Sequence, residues 1–487
     1  MVDIRKNAKW LFLLNFCEIS VQSILKIVLA YMLSPEAIGV VGVALILIGL
    51  LQSLSQTGVY AALIQQKNKI EDYLDTGWSL EIIRGIILFL VIFGLSPSYI
   101  EYMVGNRNQE YIAVVQVLAT TMIIDSCKNI GVVLFDREIN FRQVLKLQIT
   151  GLIIRTLSVF LLTLYLQNYW GIVYGTVLGS LTIFFMSYVF SEYRPRFNID
   201  FSKCIELLNF GGWVFAYSIA GFLALKTADI FVLKYTDVAQ LAIFQMAFFM
   251  AMLMRNSISE IQNRIIFPLV SSFKQDLMKI EKLFIESMIM SFSFYVPAGL
   301  GLAVLSDAIV KMLFNELWIS ISNILPILAV AGIFAALVRV IEQFYKGYGV
   351  PVYVFISQTM MIFILIFSIF FIFDYSLFGI SCSLLLTLFL QFFILFIHSI
   401  LFFKIQSKIL FKSFFLILFG TLIMSTLLIY LINIFEIEGI SMILMMMIIG
   451  IVIYFVYLFM VATILNDNGI KKLLSNLRST EVKSTRF

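Results

Sequence analysis

Charged side chains recur inside the long apolar segments of this sequence. The segment at residues 10–32 carries Glu18, Gln22 and Lys26 at intervals of four residues. At 100° per residue of an α-helix these side chains fall on one side, and the opposite side is built of Ile, Leu and Val. A charge at the centre of a bilayer costs about 2.5–3.5 kcal/mol. The polar side of this segment is therefore expected to point at protein or water rather than at lipid.

Such charges are candidates for binding a substrate or for coupling to an ion gradient. Lys and Arg attract phosphate, and the forked guanidinium of Arg suits it best. A carboxylate at low dielectric can exchange protons, which suits ion coupling. The candidate substrate-binding residues are Lys26, Arg84, Lys128, Arg155, Lys226, Arg255 and Arg339. The candidate ion-coupling residues are Glu18, Asp125 and Asp229.

A purely structural role stays open for each of these charges. Opposite charges stand three residues apart in several segments, for example Lys226 and Asp229. Such a pair can fix two helices together without touching a substrate. Lys26 and Asp229 hold equivalent positions in the two halves of the chain, and they too can form a static ion pair. Cations and anions nearly balance within the segments, so they do not form a strongly cationic tunnel.

The elements that must position these charges are membrane-spanning helices. The chain has 487 residues, of which 61% are hydrophobic and 13% are charged, whereas a soluble domain has about 25% charged residues. The apolar segments are too long for barrel strands and do not alternate. We predict an all-α polytopic membrane protein with about fourteen transmembrane helices. The segments are 10–32, 38–62, 76–98, 111–134, 147–166, 169–190, 207–233, 238–262, 283–305, 320–344, 351–373, 377–402, 413–434 and 439–463.

Positive charges are distributed unequally between the two sides of this helix array. With the N-terminus placed in the cytoplasm, 24 of the 34 Lys and Arg residues fall on the cytoplasmic side, three fall outside and seven lie within helices. Cytoplasmic loops of membrane proteins are rich in Lys and Arg. Both termini are therefore predicted to be cytoplasmic. This bias also explains the net charge of +5 without a nucleic-acid partner.

A polar interruption after the sixth segment divides the helices into two sets. The predicted parts are an N-lobe at 1–190, a cytoplasmic linker at 191–206, a C-lobe at 207–403, two further helices at 404–465 and a basic cytoplasmic tail at 466–487. Both lobes start on the cytoplasmic side, which indicates a parallel repeat about an axis normal to the membrane. No segment outside the membrane is long enough for a soluble catalytic domain. We expect no catalytic residue, no metal site and no bound cofactor.

Several stretches resemble those of a known transporter family. YMLSPEAIGVVG (Tyr31–Gly42) resembles the turn after the first helix, and LFDREINFRQ (Leu134–Gln143) resembles the loop after the fourth. ADIFVLKYTDVAQLAIFQMA (Ala228–Ala247) and AIVKMLFNELW (Ala308–Trp318) complete the set. Their order and spacing resemble the polysaccharide or O-antigen flippases of the multidrug/oligosaccharidyl-lipid/polysaccharide (MOP) exporter superfamily. The last two helices fit the fourteen-helix branch of that superfamily.

This resemblance implies a flippase rather than an enzyme. The cargo would be undecaprenyl-diphosphate-linked oligosaccharide, turned from the cytoplasmic to the outer face of the bacterial plasma membrane for O-antigen, capsule or related polysaccharide. The resemblance also implies alternating access of two lobes, coupling to a proton or sodium gradient, and work beside a polysaccharide polymerase. An ion-coupled multidrug/cation antiporter and a peptidoglycan-precursor flippase remain alternatives within the superfamily. A membrane-embedded polymerase or ligase remains an alternative outside it.

Overall fold

The computed structural model describes residues 4–55, 58–65, 70–138, 140–435 and 439–464. Every regular element in these ranges is helical, which confirms the all-α prediction. Two short 3-10 turns, Ile130–Val132 and Glu316–Trp318, accompany the α-helices. The predicted tail at 466–487 lies outside the described residues. The α-helices are α1 (Ile4–Met32), α2 (Pro35–Leu54), α3 (Val59–Gln65), α4 (Glu71–Val104), α5 (Gln109–Ser126), α6 (Val133–Arg137), α7 (Phe141–Leu166), α8 (Trp170–Phe190), α9 (Phe201–Tyr235), α10 (Val238–Ser272), α11 (Leu277–Leu313), α12 (Ile321–Tyr348), α13 (Val352–Phe371), α14 (Leu377–Phe402), α15 (Ser407–Ile434) and α16 (Ile440–Ile464).

Many of these helices are long and apolar enough to cross a membrane. Within the described residues ten helices meet this requirement, or eleven if one bent pair counts as a single span. The bent pair joins Gln109–Ser126 to Ile130–Arg137 at 67°. The prediction of a multi-pass membrane protein is therefore confirmed, but the count of fourteen spans is not. The three other predicted segments fall in α1, α9 and α10, which are not among the ten.

Local sequence signals explain where several helices begin. Ser34 caps α2 by accepting a hydrogen bond from the backbone N–H of Ala37 at 3.3 Å, and Pro35 follows as the first helical residue. Asn108 caps α5 by accepting from the N–H of Glu110 at 2.9 Å. These side chains satisfy amide donors that have no partner within the helix. Polar turns between the apolar segments thus fix the start of these two helices.

Two compact units make up the chain, unit 1 at Met1–Gln245 and unit 2 at Met246–Phe487. The helix α9 belongs to unit 1 because it packs on α2, α3 and α4. The unit boundary therefore falls within α10, beyond the predicted linker at 191–206. The lobes inferred from the repeat are a different division of the chain, and they stay a prediction.

Each unit has its own packing scheme. In unit 1, α7 packs along α8, α1 packs on α7, and α5 packs on both α4 and α8. In unit 2, α12 packs on α11 and α14, α13 packs on α14, and the last two helices pack on α11 and on each other. The two C-terminal helices are thus joined to unit 2 through α11.

Glycines let α7 and α8 approach closely. A Cβ atom added at Gly171 would lie 2.4 Å from Thr163 Cα, and one added at Gly175 would lie 2.5 Å from Val159 Cα. Both distances are far below van der Waals contact, so larger residues would push the helices apart. The spacing of four residues in WGIVYGTVLG places these glycines on one face of α8. This close pair positions Arg155, which lies on α7.

The segment at 191–200, between α8 and α9, is fastened to the first turns of α4. Asp75 Oδ1 accepts a hydrogen bond from Tyr193 Oη at 2.7 Å and another from the backbone N–H of Arg196 at 2.7 Å. The N–H of Asn198 donates to Ser79 Oγ at 2.9 Å. Burial and the hydrogen bond to Asp75 raise the pKa of Tyr193, so its hydroxyl remains a donor. The predicted linker therefore begins as an ordered strap on unit 1.

Candidate functional site

The structure divides the ten predicted site residues between the two units. Eight of them lie in unit 1 and two lie in unit 2. Those of unit 1 are Glu18 and Lys26 on α1, Arg84 on α4, Asp125 on α5, Lys128 just after α5, Arg155 on α7, and Lys226 and Asp229 on α9. Those of unit 2 are Arg255 on α10 and Arg339 on α12.

The ion pairs of these residues are formed one helical turn apart. Arg84 pairs with Glu81, Lys128 pairs with Asp125 at 2.9 Å, and Lys226 pairs with Asp229 at 2.7 Å. Side chains three residues apart on a helix are neighbours, which makes this geometry natural. Each of these pairs lies within one stretch of chain. A structural role that fixes two helices together is therefore not what these pairs perform. The other predicted cations of unit 1, Lys26 and Arg155, are not in these pairs, and the packing of α1 and α7 positions them.

Asp229 is the most deeply buried of the predicted acids. Its side chain is 3% exposed, and Oδ2 accepts hydrogen bonds from Lys226 Nζ at 2.7 Å and from Gln245 Nε2 at 2.9 Å. The observed partners of Asp229 are thus Lys226 and Gln245, and the predicted role in ion coupling stays a prediction. A Cβ added at Gly42 of α2 would lie 2.7 Å from Gln245 Oε1, so the absent side chain at Gly42 makes room for Gln245.

Three cations of unit 1 form a group. Lys26, Arg155 and Lys226 come from α1, α7 and α9, and the positive charges of Arg155 and Lys226 both act on Lys26. Lys26 and Arg155 are exposed, and the side chain of Lys226 is also partly accessible, at 37% exposed. The negative charge of Asp125 acts on Arg155. Exposed cations from three helices can surround an anionic group, and we call this set the cation triad.

Gly179 fixes the position of Arg155 within the cation triad. A Cβ added at Gly179 would lie 2.6 Å from Arg155 Cβ and 2.8 Å from Arg155 Cγ. The aliphatic stem of Arg155 therefore lies directly on the backbone of α8. Gly179 and Gln245 were not predicted from the sequence, because neither has a charge. The repeated glycine spacing that ends at Gly179 was the one available signal.

Unit 2 contains a second group of charges around a buried carboxylate. Glu342 is 3% exposed, with Arg339 Nη1 at 3.5 Å and Lys346 Nζ at 3.9 Å from its Oε2 atom. That oxygen accepts no hydrogen bond from the described residues. The charges of Arg339 and Glu342 also act on Arg255 of α10. The two predicted cations of unit 2 are thus brought together, and Glu342 joins them.

The remaining predicted acids have different surroundings. Glu18 is half-buried on α1, two turns before Lys26. The Asp125 side chain is 33% exposed and pairs with Lys128, so more of its surface is uncovered by protein than that of Asp229. A carboxylate that exchanges an ion during a transport cycle must be reached from the aqueous phase. By that criterion Glu18 and Asp125 suit the predicted coupling role better than Asp229.

The fold defines a class of membrane protein. The lipid II flippase MurJ, in an inward closed conformation, matches with a TM-score of 0.72 and 15% identity over 93% of this chain and 99% of that chain. An inward-facing multidrug resistance MATE family transporter of the MOP superfamily matches with a TM-score of 0.65 and 13% identity, covering 80% of this chain and 94% of that one. The protein therefore has the multi-pass helical fold that is seen in MurJ and in this MATE family transporter.

The sequence then places the chain within a family. The family model described as polysaccharide biosynthesis protein matches residues 28–323, and the chain belongs to that family. The lipopolysaccharide biosynthesis protein WzxC of Escherichia coli (strain K12) is 23% identical over 335 residues. This alignment covers 67% of the chain and 66% of the relative's own length. The resemblance inferred from the sequence motifs is confirmed.

Proposed function

We propose that this protein is a flippase for undecaprenyl-diphosphate-linked oligosaccharide. It turns the lipid-linked oligosaccharide from the cytoplasmic to the outer face of the bacterial plasma membrane, for the synthesis of a cell-surface polysaccharide. The cation triad of unit 1 is the observation that carries this proposal. Three cations from three different helices provide several donors for a diphosphate inside a membrane protein, where an isolated charge is costly.

The comparisons support the class of cargo. The family model concerns polysaccharide biosynthesis, and the E. coli relative bears the name of a lipopolysaccharide biosynthesis protein. The solved structure of MurJ is described as a lipid II flippase, which supports a lipid-linked cargo for a protein of this fold. A lipid-linked oligosaccharide combines these two features in one molecule.

An ion gradient and a defined orientation in the membrane complete the proposed transport cycle. Alternating access moves the cargo, and a proton or sodium gradient drives the cycle through Glu18 or Asp125. Both termini face the cytoplasm, so that the cation triad receives the diphosphate from the side where the oligosaccharide is assembled. A polysaccharide polymerase takes over the oligosaccharide on the outer side.

A test in cells compares variants of the cation triad with a matched control. In a strain lacking the protein, lipid-linked oligosaccharide should accumulate on the cytoplasmic leaflet and one surface glycan should disappear. The variant Lys26→Gln with Arg155→Gln should insert normally and reduce flipping by about 10- to 100-fold, as expected for lost charge-assisted contacts. Lys408→Gln removes an exposed cation at the start of α15 and should flip normally.

The same strains discriminate between the alternatives. Two further transporter functions have a specific observation in their favour, the fold match to a drug transporter and the match to a lipid II flippase. If the glycan persists and only drug tolerance falls, the protein is an antiporter. If growth stops and peptidoglycan precursor accumulates, the cargo is that precursor. Normal glycan with normal drug tolerance and growth would contradict all three functions.

A further inference from the structure

A cavity lies in unit 2, where the two C-terminal helices meet α11. Its volume is about 460 Å³, within the range of roughly 300–1,000 Å³ that is typical of small-molecule sites. The last turns of α11, the end of α15 and the start of α16 form its walls. Its lining includes Val304, Asp307, Lys311, Met312 and Ile432.

The walls combine one ion pair with apolar side chains. Asp307 Oδ2 and Lys311 Nζ are 2.7 Å apart, one turn along α11, and both side chains are 60% exposed. An exposed ion pair of this kind contributes only about 0–1 kcal/mol to stability. Each side chain can therefore give up its partner and contact a charged group of a ligand at little cost. Lys311 can then contact a phosphate and Asp307 an ammonium group. The other walls offer apolar contacts.

The surroundings of the cavity indicate an amphiphilic ligand. Beyond its apolar walls, α16 carries exposed Ile440, Leu444 and Ile448, which face lipid in a membrane-spanning chain. The ion pair lies within the last two turns of α11, near the polar end of a membrane-spanning helix. Headgroups of phospholipids occupy this level, and their acyl chains extend along the apolar helix surfaces.

We propose that this cavity binds a phospholipid whose headgroup carries both a phosphate and a primary amine. Lys311 contacts the phosphate, Asp307 contacts the ammonium group, and the acyl chains lie against α15 and α16. The site is separate from the cation triad and does not depend on the proposed cargo. In the proposed topology the cavity opens to the outer leaflet.

Asp307 makes the site selective. A headgroup with phosphate alone places a second negative charge beside this carboxylate, which opposes binding. An aminophospholipid supplies the matching positive charge. The expected order of affinity is therefore phosphatidylethanolamine above phosphatidylglycerol. Free phosphoethanolamine should bind more weakly than the lipid, because it lacks contacts with Val304, Met312 and Ile432.

Binding to the delipidated full-length protein in detergent tests this proposal. Native mass spectrometry would compare phosphatidylethanolamine, phosphatidylglycerol and soluble phosphoethanolamine. Asp307→Asn should remove the preference for phosphatidylethanolamine, and Lys311→Gln should weaken both lipids by up to about fivefold, as for other exposed charge contacts. Lys279→Gln is the matched control, because Lys279 lies on the same helix, is also 60% exposed and pairs with Asp276 at 3.1 Å.

The outcomes distinguish a lipid-binding site from an ion pair that only stabilises α11. The control should bind both lipids like the wild type, and all variants should keep the wild-type melting temperature in lipid-free detergent. An unchanged lipid preference in Asp307→Asn would overturn the proposal, and so would an equal loss in the Lys279→Gln control. Equal affinity for soluble phosphoethanolamine would show a headgroup site without a lipid. Transport of the cargo is not measured, so a failed proposed function would leave this result unaffected.

Discussion

The stem of Arg155 lies against the backbone of α8 at Gly179. We expect Gly179→Ala to displace the guanidinium and to lower flipping markedly, at a stability cost of about 1–3 kcal/mol for overpacking. Flipping is measured per amount of folded protein in the membrane. Gly94→Ala is the control, because a Cβ at Gly94 would meet nothing within 4 Å. Flipping at the wild-type rate in Gly179→Ala would show that the position of Arg155 is unimportant.

The pair of Lys226 and Asp229 predicts unequal effects of two single substitutions. Lys226→Ala leaves a carboxylate that is 3% exposed without its cation, whereas Asp229→Ala leaves a lysine that is 37% exposed and can reach water. Lys226→Ala should therefore destabilise more, by about 1–3 kcal/mol, and the double variant should recover part of that loss. Thermal unfolding of the purified variants measures this, and equal losses in both single variants would contradict it.

Residue chemistry was predictable from the sequence only in part. The buried charges were visible because a charge inside an apolar segment stands out by its type. The partners of Asp229 were only half visible, because Lys226 is a helical neighbour but Gln245 reaches it through packing. Glu342 is important because it is buried, and Gly179 because Arg155 lies directly against it. The spacing of residues in the sequence shows neither feature.

At the scale of elements, apolar periodicity located the helices but not their ends. The predicted segment 76–98 is part of α4, which extends from Glu71 to Val104, because polar residues also form helical turns outside the membrane. The segment 111–134 was predicted as one span but is bent. Asn129 accepts a hydrogen bond from the N–H of Gly131 at 2.8 Å and so starts a new turn.

The strap at 191–200 gives a prediction for this scale. Asp75→Ala removes the acceptor for both Tyr193 Oη and the N–H of Arg196, so amide hydrogen exchange across the strap should accelerate about tenfold, equivalent to the loss of roughly 1.4 kcal/mol. Asp72→Ala is the control, because Lys203 bonds the backbone oxygen of Asp72 and not its side chain. Unchanged exchange in Asp75→Ala would mean that other contacts hold the strap.

At the scale of the whole molecule, the charge distribution predicts the topology. An accessibility tag after Phe487 should be labelled only from the cytoplasm, and a tag within residues 106–109 should be labelled only from outside. The reason is the strong excess of Lys and Arg on one side of the helix array. Labelling of intact and of permeabilised cells measures both. Labelling of the C-terminal tag in intact cells would show that the predicted orientation is wrong.

The ion pairs formed within single helices bear on how this protein is made. Lys226 and Asp229 neutralise each other on α9, and Glu81 and Arg84 do so on α4. Such a helix can leave the translocon and enter lipid with its charges already offset, before any neighbour is present. Arg155 differs, since its opposing charge is Asp125 on an earlier helix. The ribosome completes α5 before α7, so the counterion of Arg155 has already been made when α7 is synthesised.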